Sequence, residues 1–365
     1  MSSPVQAPAN VRAIAPYQPG KPISELVREL GIPAGNIVKL ASNENPLGMS
    51  IAARDAVRRC LGDVPRYPDG NGFALKQALS RRFGVDASQI VLGNGSNDVL
   101  DMAARAFLNG ETSAVFSRYA FAVYPLATQT VGARGIEVPA RDFGHDLKAM
   151  ARAIQPDTRV IFIANPNNPT GTFLPGAAVR EFLMEVPGDV LVVLDEAYTE
   201  YLGPADAYDA ISWLDEFPNL LISRTFSKAY GLAGLRVGYG LGHPEVIDLL
   251  NRVRQPFNVS VLGLVAAEAS LDDLEFIAKS AELNRRGMAQ ILAGLAELGL
   301  ESIPSAGNFV TLRVGNAAAV NSRLLRQGVI VRPIAGYGLP DWLRVSIGLP
   351  EENTRFLAAL RSALD

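Results

Sequence analysis

Lys228 stands in "RTFSKAYGLAGLRVGY", residues 224–239, with Thr225 and Ser227 just before it and Arg236 eight residues after. The rest of the stretch is mostly small or apolar, so the lysine is set apart. A primary amine condenses with an aldehyde, and two hydroxyls with an arginine hold an anion. Elsewhere "VVLDEAY" offers Asp195 and Tyr198, "NPNNPTG" offers Asn168, and "GNGSND" offers a glycine turn. Pyridoxal phosphate (PLP) is the aldehyde cofactor that needs this set: an amine, an anion site, an acid opposite its ring nitrogen and a flat partner for its ring. The backbone N–H groups of Gly95, Ser96 and Asn97 at a helix start would hold its phosphate, with Thr225, Ser227 and Arg236. Asp195 would keep the ring nitrogen protonated, making the ring an electron sink. Asn168 and Tyr198 would hydrogen-bond its phenolic oxygen. Lys228 would tether the aldehyde and later act as the base.

Those residues need elements that bring them together. "QIVLGNG", "RVIFIAN", "DVLVVLDEAY" and "NLLISRTF" are short apolar runs that suit strands buried on both faces, as in parallel sheets. Helical patterns lie between them, as in "AAVREFLMEV". "IAARDAVRRCLG" and "GFALKQALSRRFG" are amphipathic and each ends at a glycine. "SNDVLDMAARAFLNG" reads as a helix capped by Ser96. The alternation is that of an open α/β sheet, where ligands collect at the carboxyl ends of the strands. Four consecutive runs end in polar residues, which points to one shared site. After about residue 255 the texture changes to a long helical stretch over 259–299. The short strands "NFVTLRV", "VIVRPI" and "LRVSIG" follow it, the pattern of a smaller α+β domain.

Each feature also has a plainer reading. "GNGSND" would serve as an ordinary turn and cap, and "NPNNPTG" as a turn. Asp195 would serve as a helix cap. Asp98 stands where G-x-G-x-x-G needs its third glycine, which argues against a dinucleotide site. His145 and His243 are the only histidines, and neither has a nucleophile or second metal ligand nearby, so Ser–His and metal chemistries have little support. The 365 residues carry a net charge of −3, without the basic excess of a nucleic-acid surface. No apolar run approaches the roughly 18 residues of a membrane span. Cys60 is the single cysteine; in "AVRRCLG" it reads as a helix-packing residue, in keeping with a reducing cytoplasm. "MSSPVQAPAN" lacks the apolar core of a signal peptide and reads as a disordered lead-in.

"NENPLG", "NPNNPTG", "DEAY", "SKAYGLAGLRVGY" and "LRVSIG" occur in an order and spacing that resembles the PLP-dependent aminotransferases of fold type I, within them the histidinol-phosphate branch. The resemblance runs from "PYQPGKP" at Tyr17 to "LRVSIG". It implies an α/β fold with a large domain on a mostly parallel sheet and a smaller α+β domain. With the change of texture it divides the chain into an N-terminal arm at 1–40 packing on the small domain, a PLP-binding domain at 41–255 and a C-terminal domain at 256–365. It implies a homodimer in which Tyr67, in "RYPDG", reaches the PLP phosphate of the neighbouring subunit. Phe121 resembles the aromatic that stacks on the ring. The family has Pro-Thr before that residue where this chain has Tyr119 and Ala120, so Tyr119 competes for the role. "NENPLGMS" departs from the family's "NENPLGPS" at Met49.

The same resemblance implies an amino donor with an imidazole and a phosphate ester, L-histidinol phosphate, and a keto-acid acceptor, 2-oxoglutarate, as in histidine biosynthesis. Arginine suits both anions because its planar fork pairs with carboxylate and phosphate alike. Arg344 and then Arg332 are the candidates, with Tyr17 at the donor phosphate and Asn43, in "NENPLG", among the substrate contacts. A surface ion pair for Arg332 and a packing role for Tyr17 compete with these readings. Phenylalanine and tyrosine are alternative donors, and decarboxylation of an amino-acid phosphate is an alternative reaction. A PLP-binding regulator would need a DNA-binding domain for which no residues remain.

Overall fold

A computed structural model of the protein describes residues 5–364. The strands are β1 (Val38–Lys39), β2 (Ile90–Gly93), β3 (Ser113–Ser117), β4 (Arg134–Val138), β5 (Thr158–Ala164), β6 (Leu191–Asp195), β7 (Leu220–Thr225), β8 (Gly238–Gly242), β9 (Ser302–Ile303), β10 (Phe309–Arg313), β11 (Val329–Ile330), β12 (Arg332–Pro333) and β13 (Trp342–Ser346). Seven of them form one sheet in the order β2-β8-β7-β6-β5-β3-β4. Its pairs from β7 to β4 are parallel. Helices cover both faces, so Val160 to Ile163 of β5 and Val192 to Leu194 of β6 have no exposed surface, as parallel strands require.

β8 runs antiparallel between β2 and β7. Its sequence, "GYGLG", sets only Tyr239 and Leu241 between glycines, a weak strand signal, and the strand was not expected. A Cβ on Gly238 would lie 2.3 Å from the backbone nitrogen of Ser96. This glycine is what lets the turn after β2 close down on the sheet.

The helix Ser96–Phe107 corrects one expectation. Ser96 is its first residue and not its cap; Gly95 holds the cap position at φ 76°, ψ 167°. The Asn94 N–H is instead taken up by the Asp98 carboxylate at 2.9 Å. The helix Phe73–Phe83 ends as its glycine predicts, with Gly84 left-handed at φ 68°. Cys60 is buried at the end of the helix Ile51–Cys60.

The stretch 259–299 is two helices, Val261–Leu271 and Leu274–Glu297. Asp273 interrupts them, accepting from the Phe276 N–H at 3.1 Å. Ala266, Ala267 and Leu271 of the first helix are buried in the core of the large sheet. Ile291 and Leu295 of the second enter the core of the smaller unit. Ile277 of the second helix still packs on the large core, so the change of core falls within that helix, between Ile277 and Met288, later than the change of texture at 255. The smaller unit is built on the antiparallel sheet β12-β13-β10-β9.

The arm is also corrected. Residues Ala9–Arg12 are helical, and the Asn10 side-chain amide donates to the carbonyls of Gln129 and Thr130 at 3.0 and 3.1 Å. That part of the lead-in is ordered against the large unit; residues 1–4 lie outside the described residues. Further on, β1 pairs with β11 of the smaller unit, and Leu26, Ile37 and Ala41 bury with Ile330. The arm thus touches both units and not the smaller alone.

Candidate active site

One cleft of about 180 Å³ opens between the units at the carboxyl ends of β5, β6 and β7. Its walls include Ser96, Asn97, Phe121, Asn168, Asp195, Tyr198, Thr225, Ser227, Lys228 and Arg236 from the large unit. Arg332 and Arg344 come from the smaller unit, and Tyr17 and Asn43 from the arm and its continuation. Gly95 turns just behind this wall. Tyr67 is elsewhere, 82% exposed and stacked on Phe257 at 4.7 Å. The two candidates for stacking are separated. Phe121 faces the cleft, whereas the Tyr119 ring packs beside Phe143 at 6.1 Å, with the Arg118 guanidinium 5.3 Å above it.

The far end of the cleft is an anion cradle. The helix Ser96–Phe107 begins there, with the positive end of its dipole and free N–H groups. Arg236 Nη1 donates to Ser227 Oγ at 3.3 Å and to the Ala233 carbonyl at 3.1 Å. Thr225 Oγ1 accepts from the Ser227 N–H at 3.1 Å, which folds the loop after β7. A Cβ on Gly95 would lie 2.2 Å from Arg236 Nη2, so glycine is needed for the arginine to lie against the turn.

The middle holds an acid and an amine. Asp195 is buried; burial, only partly offset by the Tyr124 hydroxyl, pushes its carboxyl up to about 6. Its Oδ2 accepts from Tyr124 Oη at 2.9 Å, while Oδ1 is buried with no protein partner. Asp195 therefore caps no helix. Lys228 Nζ donates to the Ser42 carbonyl at 3.0 Å and lies 5.8 Å from the centre of the Tyr198 ring. Burial first, and then the Arg344 charge, bring its amine down to about 7. The Tyr198 hydroxyl accepts from Asn43 Nδ2 at 2.9 Å, and burial raises its phenol to about 12. The orphaned Oδ1, a free amine and the glycine cradle match the ring nitrogen, aldehyde and phosphate of PLP, so the residues present fit that cofactor.

The mouth is cationic. Arg332 and Arg344 are register partners on β12 and β13, so their guanidinium groups stand on one face of the small sheet. Arg344 is 7% exposed. It donates to Asn168 Oδ1 at 2.5 Å and to the Ala41 carbonyl at 2.8 Å, and its Nε is buried without a partner. Arg332 donates to the Gln18 carbonyl, and its guanidinium lies 5.4 Å over the Tyr17 ring.

Three features went unread in the sequence. Tyr124 follows Phe121 by one helical turn, a spacing that puts both on one side and was the available signal. Ser42 contributes only a carbonyl, which no side chain marks. Beneath the cleft, Arg224 donates through Nε and Nη2 to Glu196 Oε2 at 2.9 and 2.7 Å, in a buried pair on the opposite face of β6 and β7. The histidines lie apart. His145 Nε2 is against the Ala164 backbone at 3.0 Å, and His243 caps the helix Pro244–Val253. Among the described residues no three His, Cys, Asp or Glu side chains group as a metal site would need.

The family described as aminotransferase class I and II matches residues 35–360. A protein of Thiobacillus denitrificans named histidinol-phosphate aminotransferase 1 is 66% identical, over 98% of this chain and 93% of its own length. One of Dechloromonas aromatica with the same name is 63% identical over 100% of both. Among solved structures, the histidinol-phosphate aminotransferase of Sinorhizobium meliloti in complex with pyridoxal-5'-phosphate superposes with a TM-score of 0.91. It is 30% identical, over 100% of this chain and 98% of that one.

Proposed function

Because the chain belongs to the class I and II aminotransferases, we propose that this cleft transfers an amino group between L-histidinol phosphate and 2-oxoglutarate, in histidine biosynthesis, with PLP as cofactor. The observation that carries the reading is the sharing of one cleft by the Lys228 amine and the partnerless Asp195 Oδ1. They lie between an anion cradle and two arginines. The nearly full-length identity to relatives of that name supports the donor.

When bound, the cofactor supplies an electron-poor ring that takes up the electron pair left as a substrate Cα–H bond ionises. Lys228, neutral above about pH 7, accepts the Cα proton at Nζ and returns it one atom away. Asp195, charged above about pH 6, would hold a proton on the ring nitrogen through its partnerless Oδ1. Gly95, Ser96 and Asn97, with Thr225, Ser227 and Arg236, bind the phosphate. Asn168 and Tyr198 would hold the ring oxygen, and Phe121 would cover one face. Asn43 orients the Tyr198 hydroxyl. Arg344 and Arg332 grip the anionic groups of each substrate in turn, and Tyr17 contacts the donor phosphate.

The proposal includes a cytoplasmic homodimer in which Tyr67 of each chain meets the cofactor phosphate of the other. Among the described residues no helix is long and apolar enough to cross a membrane. A panel of single-turnover reactions tests the donor. Histidinol phosphate should bleach the visible cofactor absorbance faster than phenylalanine or tyrosine at equal concentration, and glutamate should bleach it too, by the second half-reaction run backwards. Faster bleaching by phenylalanine or tyrosine would reassign the enzyme to aromatic amino acids.

A further inference from the structure

Tyr124 has no exposed surface, yet it touches two groups assigned to the cofactor. It lies in the helix Val123–Thr130, where a tyrosine among apolar residues would pass for core. Its ring lies flat on Phe162 of β5, with centroids 4.8 Å apart and planes 6° apart. The same ring presents itself at 85° to Phe121, 5.9 Å away. Its hydroxyl donates to Asp195 Oδ2 at 2.9 Å.

A carboxylate can present either oxygen to a neighbour by rotating about its last bond. Here the rotation is blocked, because Oδ2 is held by the one proton that a phenol can donate. Oδ1 remains as the acceptor, buried and without a protein partner. The Phe162 stack fixes the phenol in turn, so the hydroxyl cannot swing aside. We propose that Tyr124 is a positioning residue for the reaction: its hydroxyl aims Asp195 Oδ1 at the ring nitrogen, while its ring backs Phe121 against the ring face. The inference rests on the PLP reading above, and it assigns one side chain to the alignment of two others.

The other groups that act on Asp195 are the Ala197 backbone N–H, which favours the charged carboxyl, then Glu196 beside it and Lys228 beyond β7, with the Tyr198 phenol also near. Tyr124 is the one side chain that donates to the carboxylate, so removing its hydroxyl leaves Oδ2 without a side-chain partner and the Ala197 N–H as the remaining donor. A donor to the charged form lowers a carboxyl's proton affinity, and its loss raises it. Tyr124→Phe keeps the stack on Phe162 and the edge on Phe121, and takes away only the hydroxyl.

Two measurements test the proposal. In cofactor-free protein carrying ¹³C in its aspartate carboxyl groups, the Asp195 titration midpoint should move up by about one pH unit in Tyr124→Phe. In PLP-loaded protein, kcat should fall about tenfold with KM for the amino donor unchanged, while the dissociation constant for added PLP stays within about threefold. On an Asp195→Asn background, Tyr124→Phe should change kcat by less than twofold, since the two groups act as one unit. An unmoved Asp195 midpoint, or kcat losses that multiply in the double variant, would overturn the positioning role. Collapse of PLP affinity in Tyr124→Phe would overturn the division of labour between hydroxyl and ring. Failure of the unaltered protein to bind PLP at all would instead refute the PLP reading itself.

Discussion

Lys228 and Asp195 meet in the cleft with proton affinities far from those they have in water, the amine brought down to about 7 and the carboxyl pushed up to about 6. Burial is the first cause of both shifts, since each group is disfavoured in its charged form. For Lys228 the sign is direct. Below about pH 7 the folded protein carries ammonium, and above it a neutral amine, whereas an unfolded chain stays charged to about 10.5. Capture of added PLP by the cofactor-free protein should therefore speed up as pH rises through 7 and level off above 8. A rate that climbs only near pH 10 would mean a fully solvated lysine. The same shift makes this group's contribution to folding less unfavourable as pH rises from 7 to about 10.5. Asp195→Asn keeps the shape and removes the charge. Proton abstraction should slow at least a hundredfold, about 3 kcal/mol in the barrier, with the melting temperature little changed. Near-normal turnover would leave Asp195 without an electrostatic role. Lys228 and Asp195 were legible because a charged residue at the end of an apolar strand has few reasons to be there, and Arg236 because it follows Lys228 by eight residues in a segment otherwise small or apolar. Tyr124 was not, because its neighbours in sequence are apolar and its partner is 71 residues away.

At the scale of the element, the turn between β2 and its helix depends on two glycines that meet across the sheet. Gly95 adopts a conformation all but closed to other residues, and the carbon added in Gly95→Ala would run into Arg236. The variant should bind PLP at least tenfold more weakly, about 1.4 kcal/mol, as read by titration of the visible absorbance. Unchanged affinity would remove the turn from the phosphate site. The Arg224–Glu196 pair joins the ends of β6 and β7 from below. Arg224→Met should lower unfolding stability by about 3–5 kcal/mol, because it strands a buried carboxylate, and adding Glu196→Leu should recover part of the loss. Denaturant unfolding of the single and double variants checks this, and a loss under about 1 kcal/mol would show the pair to be solvated. The alternation of helix and strand was readable from apolar spacing alone. The antiparallel β8 was not, since glycine at every second position leaves only Tyr239 and Leu241 to signal a strand, although both are fully buried in the core.

At the scale of the whole molecule, Tyr67 is the predicted site residue that the chain does not bring to its own cleft. It is exposed beside Phe257, and Ile51 and Phe73 are also exposed, at 68% and 67%. Ultracentrifugation should report a dimer. Hybrids of a Tyr67→Phe chain with a Lys228→Ala chain separate the two arrangements. If Tyr67 acts across the interface, the hybrid holds one site with both Lys228 and Tyr67 intact, and that site should retain PLP like the unaltered protein. Retention no better than in the Tyr67→Phe parent would confine Tyr67 to its own chain. No pattern within a single sequence marks a residue that works on another copy, and here only the family resemblance pointed to it.

The arm is fastened at both ends to different bodies. Asn10 ties it to the large unit, β1 ties it to the smaller one, and Tyr17 and Gly20 between them border the cleft. A strap anchored in this way has a fixed slack. Any swing of one body away from the other would draw it taut across the mouth of the cleft, so its two anchors place the arm to limit travel as well as to form a wall.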